Sequence, residues 1–192
     1  MDFSLSTFEN QNFQNISCPA QNLSSKEFYK CTFKKCDFGT CDLSGSTFTD
    51  CTFSDCNLSN IKVYKCSFQG ILFENCKMIG ITFSRINSLL INWKFKKCVL
   101  SLCDFSNLNI RGSEFLECEI RETYFINTNL NEANFSKSDL QASKFQNTNL
   151  EKANFVDAVN YYIDPTTNKI KQARFSYPGV LSLLENFKIK IE

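Results

Sequence analysis

From Phe3 to Phe155 a large apolar residue returns at every fifth position, with one interruption of phase. The first run reads Phe3, Phe8, Phe13, Cys18, Leu23, Phe28 and onward to Met78 and Phe83. The second starts at Leu90 and runs through Phe95, Leu100, Phe105 and Ile110 to Leu150 and Phe155. Of the 20 phenylalanines only Phe175 and Phe187 stand outside the two runs. Two residues before each large one sits a smaller side chain, as in Cys31, Cys36, Ser46, Cys56, Ser113, Thr128 and Ala133. A helix needs apolar residues every 3.6 positions and a strand every second one, so neither follows a period of five. The period suits a chain that turns a corner every five residues and points one large and one small side chain inward on each side. Four such sides close a coil, and stacked coils make an all-β solenoid.

The stretches Cys31–Leu43 (CTFKKCDFGTCDL), Thr128–Leu140 (TNLNEANFSKSDL) and Ala153–Phe155 resemble the A-[DN]-[LF]-x-x motif of pentapeptide-repeat proteins. That resemblance implies a right-handed quadrilateral β-helix over roughly four fifths of the chain. The expected organisation is a β-helix over residues 1–160, with a first tower at 1–83, a slip at 84–89 and a second tower at 90–160. A C-terminal cap at 161–192 follows. At ~4.8 Å between paired strands the rod spans roughly 37 Å. In the second run Phe alternates with Leu or Ile, which places Phe on two opposite sides of each coil. Stacked rings then fill the axis and leave no internal cavity for a cofactor or substrate.

The phase also assigns the 11 cysteines. Ten take the small inward position and Cys18 takes a large one, so they read as buried core filler. The chain has no His and no Cys-x-x-Cys, so a zinc site lacks its usual ligands. Free thiols in this number, and an N-terminal segment without signal-peptide character, point to a cytoplasmic protein. No apolar stretch reaches membrane-spanning length. Nucleophilic catalysis needs an exposed, activated group, and the phase buries every thiol. The expectation is a non-enzymatic protein with neither cofactor nor metal.

Seven residues rather than five separate Phe83 from Leu90. Trp93, the single Trp, then stands where a small residue belongs. The expectation is that Trp93 and Leu89 fill a widened interior at a bend. The basic residues Arg85, Lys94, Lys96 and Lys97 make that bend a candidate partner contact. Past Phe155 the period stops. Tyr161–Ile170 reads as strand, turn and strand, and a helix is expected over about 177–187, with Ser176 near its N-cap and Pro178 in its first turn. Val180, Leu181, Leu184 and Phe187 share its apolar face, and Ile189 and Ile191 alternate in a terminal strand. A helix there closes the open end of the last coil and offers a face for pairing with a second copy.

Net charge is +1, but the charges are zoned. Residues 36–61 carry Asp37, Asp42, Asp50 and Asp55 without a Lys or Arg, and residues 62–97 are basic. Residues 104–132 are acidic, with Glu114, Glu117, Glu119 and Glu122 around one edge of the rod. Asp139 falls one coil on from Glu119. An acidic row of this kind can engage a protein that itself grips DNA.

The order of parts is similar to that of the Qnr-type quinolone-resistance proteins: a Phe-rich first tower with Cys-x-Phe repeats, a break, a second tower, and a short helix. Asn127–Leu130, Ala133–Lys137 and Ser182–Glu185 with Ile189–Ile191 carry the likeness. The resemblance implies a homodimer that binds DNA gyrase or topoisomerase IV and shields it from quinolones or natural poisons, without binding nucleic acid itself. Long projecting loops found in several of those proteins are absent, and near-neutrality favours a local contact over mimicry of DNA by the whole molecule. An interaction scaffold with an unrelated protein partner remains the alternative.

Overall fold

The computed structural model describes residues 3–190. It is a right-handed β-solenoid of about 8 turns with one short helix near its C-terminus. Strands in the body of the rod are three or four residues long, and every pairing is parallel. On the first face Phe8 pairs with Phe28, Phe28 with Phe48 and Phe48 with Phe68. The second face continues from Phe13 through Phe33, Phe53, Phe73 and Phe95 to Phe115 as a six-stranded sheet. Met78, Leu100 and Ile120 lie in register on the third face. Thr82 bridges Asp104 and Asp104 bridges Tyr124, which places Phe83, Phe105 and Phe125 on the fourth.

The corners explain the period. The second residue after nearly every large one has positive φ, as at Lys35 (53°), Thr40 (60°), Glu117 (54°) and Glu122 (49°), with Arg85 before the slip an exception. Left-handed backbone costs a non-Gly residue roughly 1–2 kcal/mol. Here each corner N–H recovers a bond to the coil above, such as Glu117 to the Ser136 carbonyl at 3.2 Å and Glu122 to that of Gln141 at 3.0 Å. Many corners are also closed by a bond from the third residue after the large one, as from the Cys41 N–H to the Phe38 carbonyl at 2.9 Å. That bond with positive φ at the third turn residue is the type II pattern.

Rings in one column stack face to face: Phe33 and Phe53 at 4.6 Å, Phe115 and Phe135 at 4.8 Å and 2°. Across the axis they meet edge to face, as Phe115 and Phe125 do at 84°. Both geometries suit the ring quadrupole. The second tower carries Phe on the opposite second and fourth faces, whereas the first tower carries it mainly on the adjacent first and second. An interior gap among Leu23, Phe28, Phe48 and Phe53 has a volume of only 10 Å³.

That exchange of faces happens at the slip and needs a residue to fill the first face. Leu90 does not: it is 78% exposed, and Leu89 is 67% exposed. The expected inward places for these two residues are corrected, because the two extra residues loop outward. Trp93 alone takes the space. It is 0% exposed, its ring lies against Phe68, Phe83, Phe95 and Phe105, and its Nε1–H donates to the Phe68 carbonyl at 3.0 Å. Stacking then resumes with partners 22 residues apart instead of 20, as in Phe73 with Phe95.

All 11 cysteines are free and buried. They are more than filler, for nine of the thiols donate to the carbonyls of the coil below, as Cys56 to Phe33 at 3.4 Å, Cys76 to Phe53 at 3.4 Å and Cys66 to Leu43 at 2.7 Å. Ser46, Ser138 and Thr128 do the same with hydroxyls, and Trp93 with its indole. The small inward position therefore favours a compact side chain with a donor. Burial pushes the thiols of Cys18, Cys51, Cys66 and Cys103 up to about 12.

The coil also outlasts Phe155, so the boundary at 160 is moved. Phe175 stacks on Phe155 at 5.2 Å and 7°, and Asn154 pairs with Arg174. The segment read as strand, turn and strand is this last coil, with Ile163 and Lys169 bridged to Phe145 and Asn149 and a turn at Asp164 between them. The repeat was hidden because the coil is two residues short before Ile163 and two long after it. No helix is long and apolar enough to cross a membrane among the described residues.

Candidate partner-binding surface

The candidate acidic residues come together as the phase predicts. Glu114 lies on the second face, Glu117 at its corner, and Glu119 and Glu122 on the third face and its corner. Glu119 bridges Asp139 on the next coil. They are not a free acidic row, however. Lys94 Nζ lies 3.1 Å from Glu114 and Lys97 Nζ 3.9 Å from Glu117. Arg121 lies 3.4 Å from Glu119 and 3.7 Å from Asp139. Glu122 alone of the five makes no ion pair among the described residues and projects from its corner into solvent.

The same ladder absorbs most of the bend's charge. Lys96 pairs with Glu74 at 3.1 Å, so Lys94, Lys96 and Lys97 are each matched, and only Arg85 of that basic set is not. Higher up, Arg111 and Lys152 converge on Glu132, whose carboxyl the Arg111 hydrogen bond holds below its ordinary value. Most of these pairs are legible as opposite charges about 20 residues apart, or 22 across the slip. Exposed pairs contribute roughly 0–1 kcal/mol each, so their effect is to flatten the surface potential more than to hold the fold.

Several Asp and Asn side chains have a structural use. Placed just before a large residue, Asp37, Asp42, Asp104 and Asp139 accept the N–H two residues on, as Asp42 does from Ser44 at 2.9 Å. Asn109 and Asn129, and Asn134 and Asn154, form amide ladders between coils at 2.9 and 3.0 Å. Local bonding of this kind is what favours Asx residues at turns. It accounts for the Asp and Asn in the repeat motif and removes those carboxylates from the free surface.

At the far end Gly179–Phe187 forms a 3₁₀-helix. Its three-residue period regroups the expected apolar face: Val180 and Leu183 turn to the last coil, while Leu181, Leu184 and Phe187 fall in line on another side. Phe187 is 51% exposed. Ser176 does not cap the helix; its hydroxyl accepts the Asp157 N–H at 2.8 Å, and Pro178 is the capping residue. A Cβ on Gly179 would meet the Tyr161 hydroxyl at 2.9 Å, so glycine permits the close docking of the helix on the coil. Ile189 is exposed and belongs to no strand, and Ile191 lies outside the described residues.

No group of three or more His, Cys, Asp or Glu among the described residues could hold a metal ion. What the surface offers is a rod with charge ladders along its middle coils, many further charges outside any ion pair among the described residues, and an apolar line at its C-terminal end.

These parts define a repeat protein built on the five-residue coil. The pentapeptide repeat region matches residues 26–89 and 86–155, and the chain belongs to that family. Among solved structures it is similar to a trypsin-treated variant of QnrB1, described as a plasmid-mediated fluoroquinolone resistance protein. The TM-score is 0.65 at 16% identity, covering 97% of this chain and 100% of that one. Full-length QnrB1 matches with a TM-score of 0.50 at 19% identity, over 95% of this chain and 100% of the other. HetL, involved in heterocyst differentiation regulation in the cyanobacterium Nostoc, matches with a TM-score of 0.65 at 15% identity, over 88% of this chain and 84% of the other. At these identities the likeness establishes the fold. No curated protein matches the chain in sequence.

Proposed function

We propose that this protein is a cytoplasmic, non-enzymatic ligand of a type II topoisomerase, DNA gyrase or topoisomerase IV, and protects it from quinolones or natural poisons. The observation that carries this reading is the likeness to QnrB1 over 97% of the chain, a span that takes in the break and the C-terminal helix. The charge ladders support a local contact in place of mimicry of DNA along the whole rod. Within the candidate surface Glu122 and the loosely paired Glu117 have the most free charge, with Glu114, Glu119 and Asp139 beside them. The rod works as a homodimer, joined through Leu181, Leu184 and Phe187, while Val180 holds the helix to its own coil.

Equilibrium binding of purified gyrase and topoisomerase IV tests the contact. Association carried by exposed charges weakens as salt rises. Glu117→Gln with Glu122→Gln should lower affinity while leaving the β-sheet spectrum unchanged. If neither enzyme binds at micromolar protein and low salt, the topoisomerase reading is wrong. The likeness to HetL, at the same TM-score over 88% of this chain, supports a second reading, an interaction scaffold for an unrelated protein.

A further inference from the structure

The fourth face of the first tower is interrupted just before the slip by a recess of 310 Å³. Lys62 and Arg85 stand in its walls, with Tyr64, Thr82 and Asn60 between them and the buried Val63 beneath. Its shape follows from the sequence. Gly80 leaves the neighbouring corner without a side chain, and Phe83–Arg85 forms a 3₁₀ turn where the coils on either side make an ordinary turn. Lys65 lies under Arg85, its N–H bonded to the Arg85 carbonyl at 2.9 Å, and its ammonium rests over the Tyr64 ring at 5.2 Å.

The cations here differ from those at the bend. Lys94, Lys96 and Lys97 each meet a carboxylate within 4 Å, whereas Lys62, Lys65 and Arg85 meet none among the described residues. Two carboxylates flank the recess, Asp42 in register with Lys62 and Asp104 in register with Thr82, and both are tied by local hydrogen bonds. Asp42 accepts the Ser44 N–H at 2.9 Å, and Asp104 accepts the Ser106 N–H at 2.9 Å and the Ser84 hydroxyl at 2.6 Å. Lys62 and Arg85 feel those charges only at longer range.

We infer that this recess binds a phosphorylated small molecule, its phosphoryl oxygens held by Arg85 and Lys62. A guanidinium presents a planar fork that matches phosphate, and an ammonium adds a mobile point charge. The Thr82 hydroxyl supplies a neutral donor, and the half-exposed Tyr64 lies beside the anion to contact what the phosphate carries. The volume admits a group of nucleotide-fragment size. Of the acidic edge only Glu122 shares a corner column with this recess, and it lies two coils beyond Gly80. The site therefore stands independently of any topoisomerase contact.

Isothermal titration with pyrophosphate and with AMP at low salt tests it, on the whole chain. Wild type should bind pyrophosphate at one site per chain. Arg85→Gln and Lys62→Gln should each weaken binding about tenfold, and Arg85→Lys should fall between, because it keeps charge and loses the fork. Lys94→Gln and Lys97→Gln serve as controls and should bind as wild type does. Circular dichroism confirms that each variant keeps the solenoid. Absence of saturation at millimolar pyrophosphate, or equal losses in the controls, overturns the site. So does tighter binding of a glutamate-rich peptide that Arg85→Gln abolishes, which would make the recess a seat for a protein carboxylate.

Discussion

Trp93 is the residue on which continuity of the two towers rests, and its replacement gives a graded test. Its side chain is completely buried, touches four aromatic rings, and supplies the hydrogen bond that Cys, Ser or Thr supplies elsewhere. Trp93→Ala opens a cavity worth about 3–5 kcal/mol and strips the Phe68 carbonyl of its indole donor, at about 1–3 kcal/mol where no other partner compensates. Trp93→Phe keeps most of the volume and loses the donor, so it should cost about 1–3 kcal/mol. Leu89→Ser and Leu90→Ser remove exposed side chains and should stay within about 0.5 kcal/mol. Urea unfolding followed by circular dichroism reads all four, with the Trp-independent signal used throughout. The ordering Ala well above Phe, and Phe above the two Ser variants, is the expected result. If Leu90→Ser destabilises as much as Trp93→Ala, the interior of the slip is filled by Leu90 and the assignment is wrong.

Cys56→Ser keeps a donor for the Phe33 carbonyl and should cost less than Cys56→Ala, at about 1–2 kcal/mol; Cys56→Leu should cost more through overpacking. Rapid labelling of most native thiols would contradict the buried column. Leu184→Glu should convert a dimer to a monomer by light scattering with the sheet signal intact, and a wild type already monomeric at tens of micromolar limits the helix to capping. Ser44 holds the Asp42 carboxyl below its ordinary value through hydrogen bonds. Its stabilising contribution is therefore present above the unfolded value of about 3.9 and is lost as pH falls through the folded one. Asp42→Asn keeps the turn acceptor without titrating, so its urea midpoint should fall less steeply in acid than that of wild type.

The period of five was enough for the coil, for the inward columns and for the burial of every cysteine, because each depends only on position within a repeat. What escaped it were exceptions to the phase. Leu90 fits the series by count, yet it is ejected because Trp93 fills the same space from the neighbouring strand. The last coil, through Phe175, was masked by compensating changes of two residues on either side of Ile163. The helix face shifted because a 3₁₀ period groups Leu181, Leu184 and Phe187 differently from an α-helical one. The acidic residues do lie along one edge, but their charge is partly matched, since Lys94, Lys97 and Arg121 reach them from nearby positions on the ladder. Most of those partners were readable at a spacing of about 20, a distance that matters only once the coil is known.

The most direct test of the proposed role is gyrase supercoiling in the presence of an inhibitory fluoroquinolone, with this protein titrated in. Restored supercoiling at micromolar protein, weakened by Glu117→Gln with Glu122→Gln, is the predicted result. Supercoiling that stays inhibited at every concentration, for both gyrase and the corresponding topoisomerase IV decatenation reaction, would contradict it.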